Sequence, residues 1–92
     1  MAVQYYEAVG RRKESTARVR VMNGTGQFSV NGKTLEGYFT RLGDPEKIVA
    51  PLQATGENRA QLDVTVVVKG GGVSGQTDAV QLGLSRALVV MN

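Results

Sequence analysis

The clearest pattern in the chain is the alternation in 62-LDVTVVVK-69, where Leu62, Val64, Val66 and Val68 oppose Asp63, Thr65, Val67 and Lys69. Successive side chains leave opposite faces of a sheet, so this period of two predicts a half-buried strand. The stretch 16-TARVRVM-22 repeats it, with Ala17, Val19 and Val21 on the apolar side and a cationic face made by Arg18 and Arg20. Upstream, 3-VQYYEAV-9 is rich in aromatic and β-branched residues and is predicted to pair with 16–22 across a loop from Gly10 to Ser15. The turn 23-NGTG-26 leads into 27-QFSV-30, which predicts three strands in antiparallel succession.

The period then changes. After the turn at Asn31-Gly32, Leu35, Tyr38 and Phe39 recur at helical spacing behind Thr34, an N-cap residue type. A second helix is punctuated by Asp44 as N-cap, Pro45 at the first helical position and Gly56 as its stop, with Ile48, Val49 and Leu52 on one face. Pro51 lies within it, and the backbone hydrogen bond that a proline removes predicts a kinked or two-part helix. The stretch 56-GENRAQ-61 is read as polar loop. Beyond 70-GGG-72, Val80, Leu84, Ala87, Leu88 and Met91 form an apolar stripe that specifies a helix packed on the sheet. There is no internal repeat or linker, so residues 1–92 are read as a single domain, with room to bury roughly 60–65% of the unfolded surface.

Charge sharpens this outline. The formal net charge is +3, and residues 1–20 hold Arg11, Arg12, Lys13, Arg18 and Arg20 against Glu7 and Glu14. The other 72 residues balance six basic with six acidic side chains, so the whole excess lies at one end and predicts a polyanionic partner. Nucleic acid is favoured over a membrane surface because the cations sit on strand-like segments, not on an amphipathic helix. Apolar runs are as short as 87-ALVVM-91, far below the about 18 residues of a membrane span, and the N-terminal stretch has no secretory pattern.

The chain has neither histidine nor cysteine. That removes histidine-based acid–base chemistry, thiolate nucleophiles and the usual zinc or copper ligands. Asp44, Glu46, Glu57 and Asp63 are dispersed along the chain, and nothing marks a carboxylate pair for acid–base work. No metal, cofactor or catalytic residue is expected.

The segment 70-GGGVSGQT-77 joins a predicted strand to a predicted helix and has the spacing of a phosphate-cradling loop, with Gln76 in the place of the lysine such a loop needs. Too little chain follows for the further strands of a nucleotide hydrolase. Successive glycines nevertheless let backbone amides face an anion, with Lys69 adding charge and Ser74 and Gln76 adding neutral donors. The alternative is that Gly70, Gly71 and Gly72 only make a tight turn that lets the helix approach the sheet. Arg11, Arg12 and Lys13, read as a loop, are either phosphate contacts or a solvated run paired with Glu7 and Glu14. Arg18 and Arg20, about 7 Å apart on one face, are either phosphate contacts or cross-strand partners of acids. Tyr5 and Tyr6 point to opposite faces, so at most one is available to stack on a base. Arg86, on the polar side of the last helix, either meets RNA or caps C-terminal carbonyls.

These residues also carry a resemblance. The stretches 10-GRRKESTARVRV-21 and 69-KGGGVSGQTDAVQLGLSRAL-88, with Tyr5-Tyr6, 35-LEGYF-39 and 50-APL-52, resemble the small-subunit ribosomal protein nine family in its bacterial form, over essentially the whole chain. The resemblance implies an α/β (α+β) two-layer sandwich like the second domain of small-subunit ribosomal protein five. Such a fold has a left-handed crossover and a mostly antiparallel sheet of about four strands with two to three helices. It implies a non-enzymatic structural protein of the cytoplasmic ribosome that binds rRNA of the small-subunit head beside neighbouring head proteins. Family members usually continue into a long basic tail that reaches transfer RNA, whereas this chain stops at Asn92, so transfer-RNA contact is not expected. Many relatives also carry an Arg-His pair where this chain has Gln81-Leu82. The alternatives are a shortened family core that folds but binds RNA weakly, with self-association through exposed sheet edges, and a phosphate-binding domain of the related kinase superfold.

Overall fold

The two alternating stretches become the centre of a sheet. In the computed structural model, which describes residues 5–91, strands β2 (Ser15–Asn23) and β5 (Leu62–Lys69) pair antiparallel, with Val19 opposite Val66 and Arg18 opposite Val67. Strand β1 (Tyr6–Arg12) takes the other edge of β2. Residues 3 and 4 of the predicted first strand lie outside the described residues. Strand β1 instead runs three residues beyond its predicted end, so Arg11 and Arg12 are strand residues and only Lys13 and Glu14 form the turn. Lys13 has a left-handed φ of 58°, as such a turn demands.

The predicted antiparallel succession of three strands is overturned. Strand β3 (Phe28–Val30) does not follow β2 but lies beyond β5 and runs parallel to it, in the order β1-β2-β5-β3-β4, with β4 (Lys33–Thr34) a short outer edge. The reason lies in a side chain on β5. The Asp63 carboxylate accepts hydrogen bonds from the Thr25 and Gln27 amides at 2.9 and 3.0 Å, and Gly24 N–H donates to the Gln61 carbonyl at 3.0 Å. The segment after β2 is therefore hung on β5 instead of folding back along β2. Asn31 continues the attachment, accepting from Val68 N–H and donating to the Val68 carbonyl at 2.9 and 2.8 Å, so its amide acts as one more ladder rung.

The parallel pair β3 and β5 is joined by a crossover through three helical pieces. Helix α1 (Leu35–Tyr38) is capped as expected by the Thr34 hydroxyl, which accepts from Gly37 N–H at 3.0 Å. Helix α2 (Asp44–Ala54) corrects two expectations. Its N-cap is Gly43, with a φ of 91°, and Asp44 is the first helical residue because its carboxylate is turned aside to Arg41. Pro51 is carried inside one continuous helix, where its ring is buried against the core. Gly56 does stop the helix, in a Schellman arrangement with Glu57 N–H on the Leu52 carbonyl and Gly56 N–H on the Gln53 carbonyl. The polar loop holds a single 3-10 turn, Arg59–Gln61.

Helix α3 (Val73–Met91) lies across β1 and β2, with α2 beside it, so the helices form one layer and the sheet the other. Its stripe is buried as predicted: Val80, Leu84, Ala87 and Leu88 are fully covered and join Val19, Val21, Val64, Val66, Leu35, Phe39, Ile48 and Leu52 in one core. The closest contact has no side chain in it. A Cβ on Gly10 of β1 would overlap the Ala79 carbonyl and the Gly83 nitrogen, and one on Gly83 would lie 2.7 Å from a Val19 methyl. Among the described residues the opposite face of the sheet carries no covering layer, and Val67 is 54% exposed there.

Two outcomes follow from this packing. Gly10→Ala must push α3 off the sheet, so chemical denaturation should report a loss of about 3 kcal/mol, the upper range for overpacking. Asp63 has its carboxyl held below the ordinary value by the Gln27 N–H and then the Thr25 N–H. A depressed folded value adds stability that is present above the unfolded value near 3.8 and is lost as pH falls through the folded one. Asp63→Asn should therefore be less stable at neutral pH and lose less stability than the parent on acidification below about pH 4, read by thermal melts.

Candidate nucleic-acid interface

Basic side chains divide into those that hold the fold together and those that do not. Arg20 donates to Glu7 across the β1–β2 pair at 2.6 Å and lies 5.0 Å from the Tyr5 ring centre. Arg41 grips Asp44 through two nitrogens at 2.8 and 3.1 Å and donates a third bond to the Ser74 hydroxyl at 3.0 Å, tying the starts of α2 and α3 together. Both guanidinium groups are pushed above their ordinary value, Arg20 by its bond to Glu7 and Arg41 by its bond to Asp44. Asp78 on α3 accepts from Lys47 at 2.6 Å and lies 3.6 Å from Arg12; Lys47 first, then Arg12, hold its carboxyl low. Arg59 meets Glu36 at 3.3 Å. Arg86 neither caps α3 nor stands free: it donates to the Val9 carbonyl on the edge of β1 at 2.9 Å.

Five basic residues make no ion pair or side-chain hydrogen bond among the described residues: Arg11, Lys13, Arg18, Lys33 and Lys69. Four of them surround the end of the sheet where β1 turns into β2 and β5 runs into the glycines. Arg11, Arg18 and Lys69 rim a shallow hollow of about 160 Å³ on the uncovered face, floored by Val9, Thr16 and Val67. Lys13 lies around the corner, on a larger concavity of about 470 Å³ formed by the β1–β2 turn, Arg41 and residues 71–75. Glu14 also lines that concavity.

The glycine segment serves the packing at two of its three residues. Gly70 and Gly71 have φ values of 82° and 66°, and a Cβ on them would overlap the Glu14 carbonyl and the Ser15 hydroxyl. The Gly70 carbonyl accepts from the buried Ser15 hydroxyl at 2.9 Å and from the Gln76 amide at 3.1 Å, while the Gln76 carbonyl accepts from Tyr38 at 2.8 Å. Gln76 thus spends both ends of its side chain inside the protein, clasping the loop to α1. Ser74 accepts from Arg41 and is exposed at the start of α3. Gly72 differs: its φ is ordinary, and a Cβ there meets nothing within 4 Å. Arg41 and Asp78 were missed in the sequence; the spacing of Arg41 three residues ahead of Asp44 was the available signal for one of them.

The molecule is a two-layer α+β domain whose unpaired positive charge gathers at one end of the sheet. The family model described as Ribosomal protein S9/S16 matches residues 10–92. Small ribosomal subunit protein uS9 of Anaeromyxobacter sp. (strain K) is 46% identical over 92 residues, which is 100% of this chain and 70% of that protein. The proteins of the same name from Gloeothece citriformis (strain PCC 7424) and Mycobacterium avium (strain 104) are 52% and 46% identical. They are matched over 90% and 91% of this chain, and over 61% and 50% of their own lengths. The chain belongs to the ribosomal protein S9/S16 family and is a structural, non-enzymatic protein of the small ribosomal subunit.

Because Gly72 has no packing partner, Gly72→Ala should leave the melting temperature within about 2 °C of the parent, whereas Gly71→Ala should lower it by several degrees, roughly 5–10 °C for about 1–2 kcal/mol in a domain of this size.

Proposed function

We propose that this protein binds rRNA of the small-subunit head through the sheet end built by Arg11, Arg12, Lys13, Arg18, Lys69 and Gly70–Gly72, beside neighbouring head proteins, as one folded domain. Its place of work is the cytoplasmic ribosome. The observation that carries this reading is the sorting of charge: cations elsewhere are mostly paired, and four of the five unpaired ones converge on one end. Unpaired surface cations raise the local potential, and each one that neutralises a phosphate releases condensed counterions. Arg12, only 3.6 Å from Asp78 and with its side chain 59% exposed, keeps most of its donors for a phosphate. The free amides at the start of α3 add partial positive charge next to Gly72, where the missing side chain leaves room for a phosphate oxygen. Ser74 offers a hydroxyl at the same place. Arg20 and Arg86, both engaged internally, contribute mainly as fixed positive charge, and Gln76 acts by holding the loop.

Six of the eleven basic side chains are occupied within the protein, and this favours one competing outcome, a core that folds yet holds RNA weakly. A titration with a head-domain rRNA fragment and an unrelated RNA of equal length, across a salt series, separates the two. The cognate fragment should bind at least about tenfold tighter, with a salt slope equivalent to about four to six phosphates. Replacing Arg11, Arg12 and Lys13 by alanine should lower that slope by about two to three. Equal and feeble binding to both RNAs would leave only the weakly binding core.

A further inference from the structure

We infer that the hollow on the uncovered sheet face takes a single unpaired nucleotide of the RNA, with its base over Val9 and Val67 and its phosphate among Arg11, Arg18 and Lys69. This rests on the RNA-binding reading above and deepens it, because a duplex backbone alone gives no use to the apolar floor. Three observations carry the inference. The hollow of about 160 Å³ is of the size of one nucleobase and is too small for a helix. Its floor sets two valines beside Thr16: Val67 is 54% exposed and stands opposite Arg18 in the ladder, with Val9 on Arg18's other side. Its rim holds three cations with no protein partner among the described residues, while the fourth cation of the same face, Arg20, is neutralised by Glu7.

The position disfavours strand addition, which is open only along the outer edge of β1, where Arg86 already takes the Val9 carbonyl. Strand β2 has β1 on one side and β5 on the other, and β5 has β3 beyond it, so most backbone groups under the hollow are already used in ladders. A ligand there is held by side chains alone, through aliphatic contact with a flat ring and charge contact with a phosphate. An acidic peptide shares the charge but gains no main-chain hydrogen bonds in this place, which favours the nucleotide. The hollow also adjoins the glycine turn, since Lys69 precedes Gly70 and Thr16 follows Ser15. A strand leaving the helical side at Gly72 therefore arrives over Val67 after rounding the β1–β2 turn.

The probe is a short RNA hairpin with one bulged fluorescent purine analogue, compared with the same hairpin fully paired. The bulged hairpin should bind about fivefold tighter or better, with a change in fluorescence on binding. Val67→Ser, at an exposed position that leaves the core intact, should bring the two affinities together while the paired hairpin binds as before. Arg18→Gln should weaken both and reduce the salt slope by about one. Equal binding of both hairpins by the parent protein would overturn the nucleotide site and leave RNA binding standing. Absence of binding to either hairpin and to the head fragment would overturn both. Binding of an acidic peptide that is lost in Val67→Ser, without a bulge preference, would assign the face to a protein and overturn the inference.

Discussion

The approach of α3 to the β1–β2 hairpin, through Gly10 and Gly83 with no side chain between them, is the constraint on which the functional end depends. It brings a helix backbone onto a sheet backbone and sets the height at which α3 starts. At that height Gly70 and Gly71 fit under the hairpin turn, and Ser15 and Gln76 close on the Gly70 carbonyl. The turn bearing Lys13, the strand end bearing Lys69 and the first amides of α3 thereby become neighbours. A methyl group at Gly10 would separate layers that the whole interface is built across.

Charge then follows packing. Acidic residues are stationed where the helical layer needs fastening: Asp44 to Arg41, Asp78 to Lys47, Glu36 to Arg59. The Lys47–Asp78 and Arg59–Glu36 pairs are partly exposed and each is worth at most about 1 kcal/mol, whereas the Asp44 carboxylate is buried under Arg41. Their larger consequence is electrostatic, since they cancel cations away from the hairpin end and leave the uncancelled ones together. A modest net charge of +3 is thus concentrated in one region of the molecule.

Much of this was legible in the sequence. The alternation at 16–22 and 62–69, the stripe from Val80 to Met91, the Thr34 cap and the Gly56 stop all express local rules that tertiary structure did not override. The position of β3 was illegible, because sequence neighbours usually pair and nothing local reveals that Asp63 captures Thr25 and Gln27. Asp44 looked like a cap, but an arginine three residues earlier claimed its carboxylate. At the interface, the residue types of the glycine segment were readable but their division of labour was not. Gly70 and Gly71 are required by contacts fifty and more positions away, while Gly72 has no such contact. Gln76 and Arg86 look like free donors until the carbonyls they reach, at Gly70 and Val9, are folded against them.

The most direct measurement is amide chemical-shift mapping of the nitrogen-labelled protein during titration with the head-domain rRNA fragment. Perturbations should concentrate on residues 11–18 and 67–74, with α2 and the end of α3 near Val89 and Val90 unaffected. Shifts centred on the Glu57–Arg59 segment or on Val89 and Val90 would contradict the account, since the unpaired cations of the hairpin end would then have no part in binding.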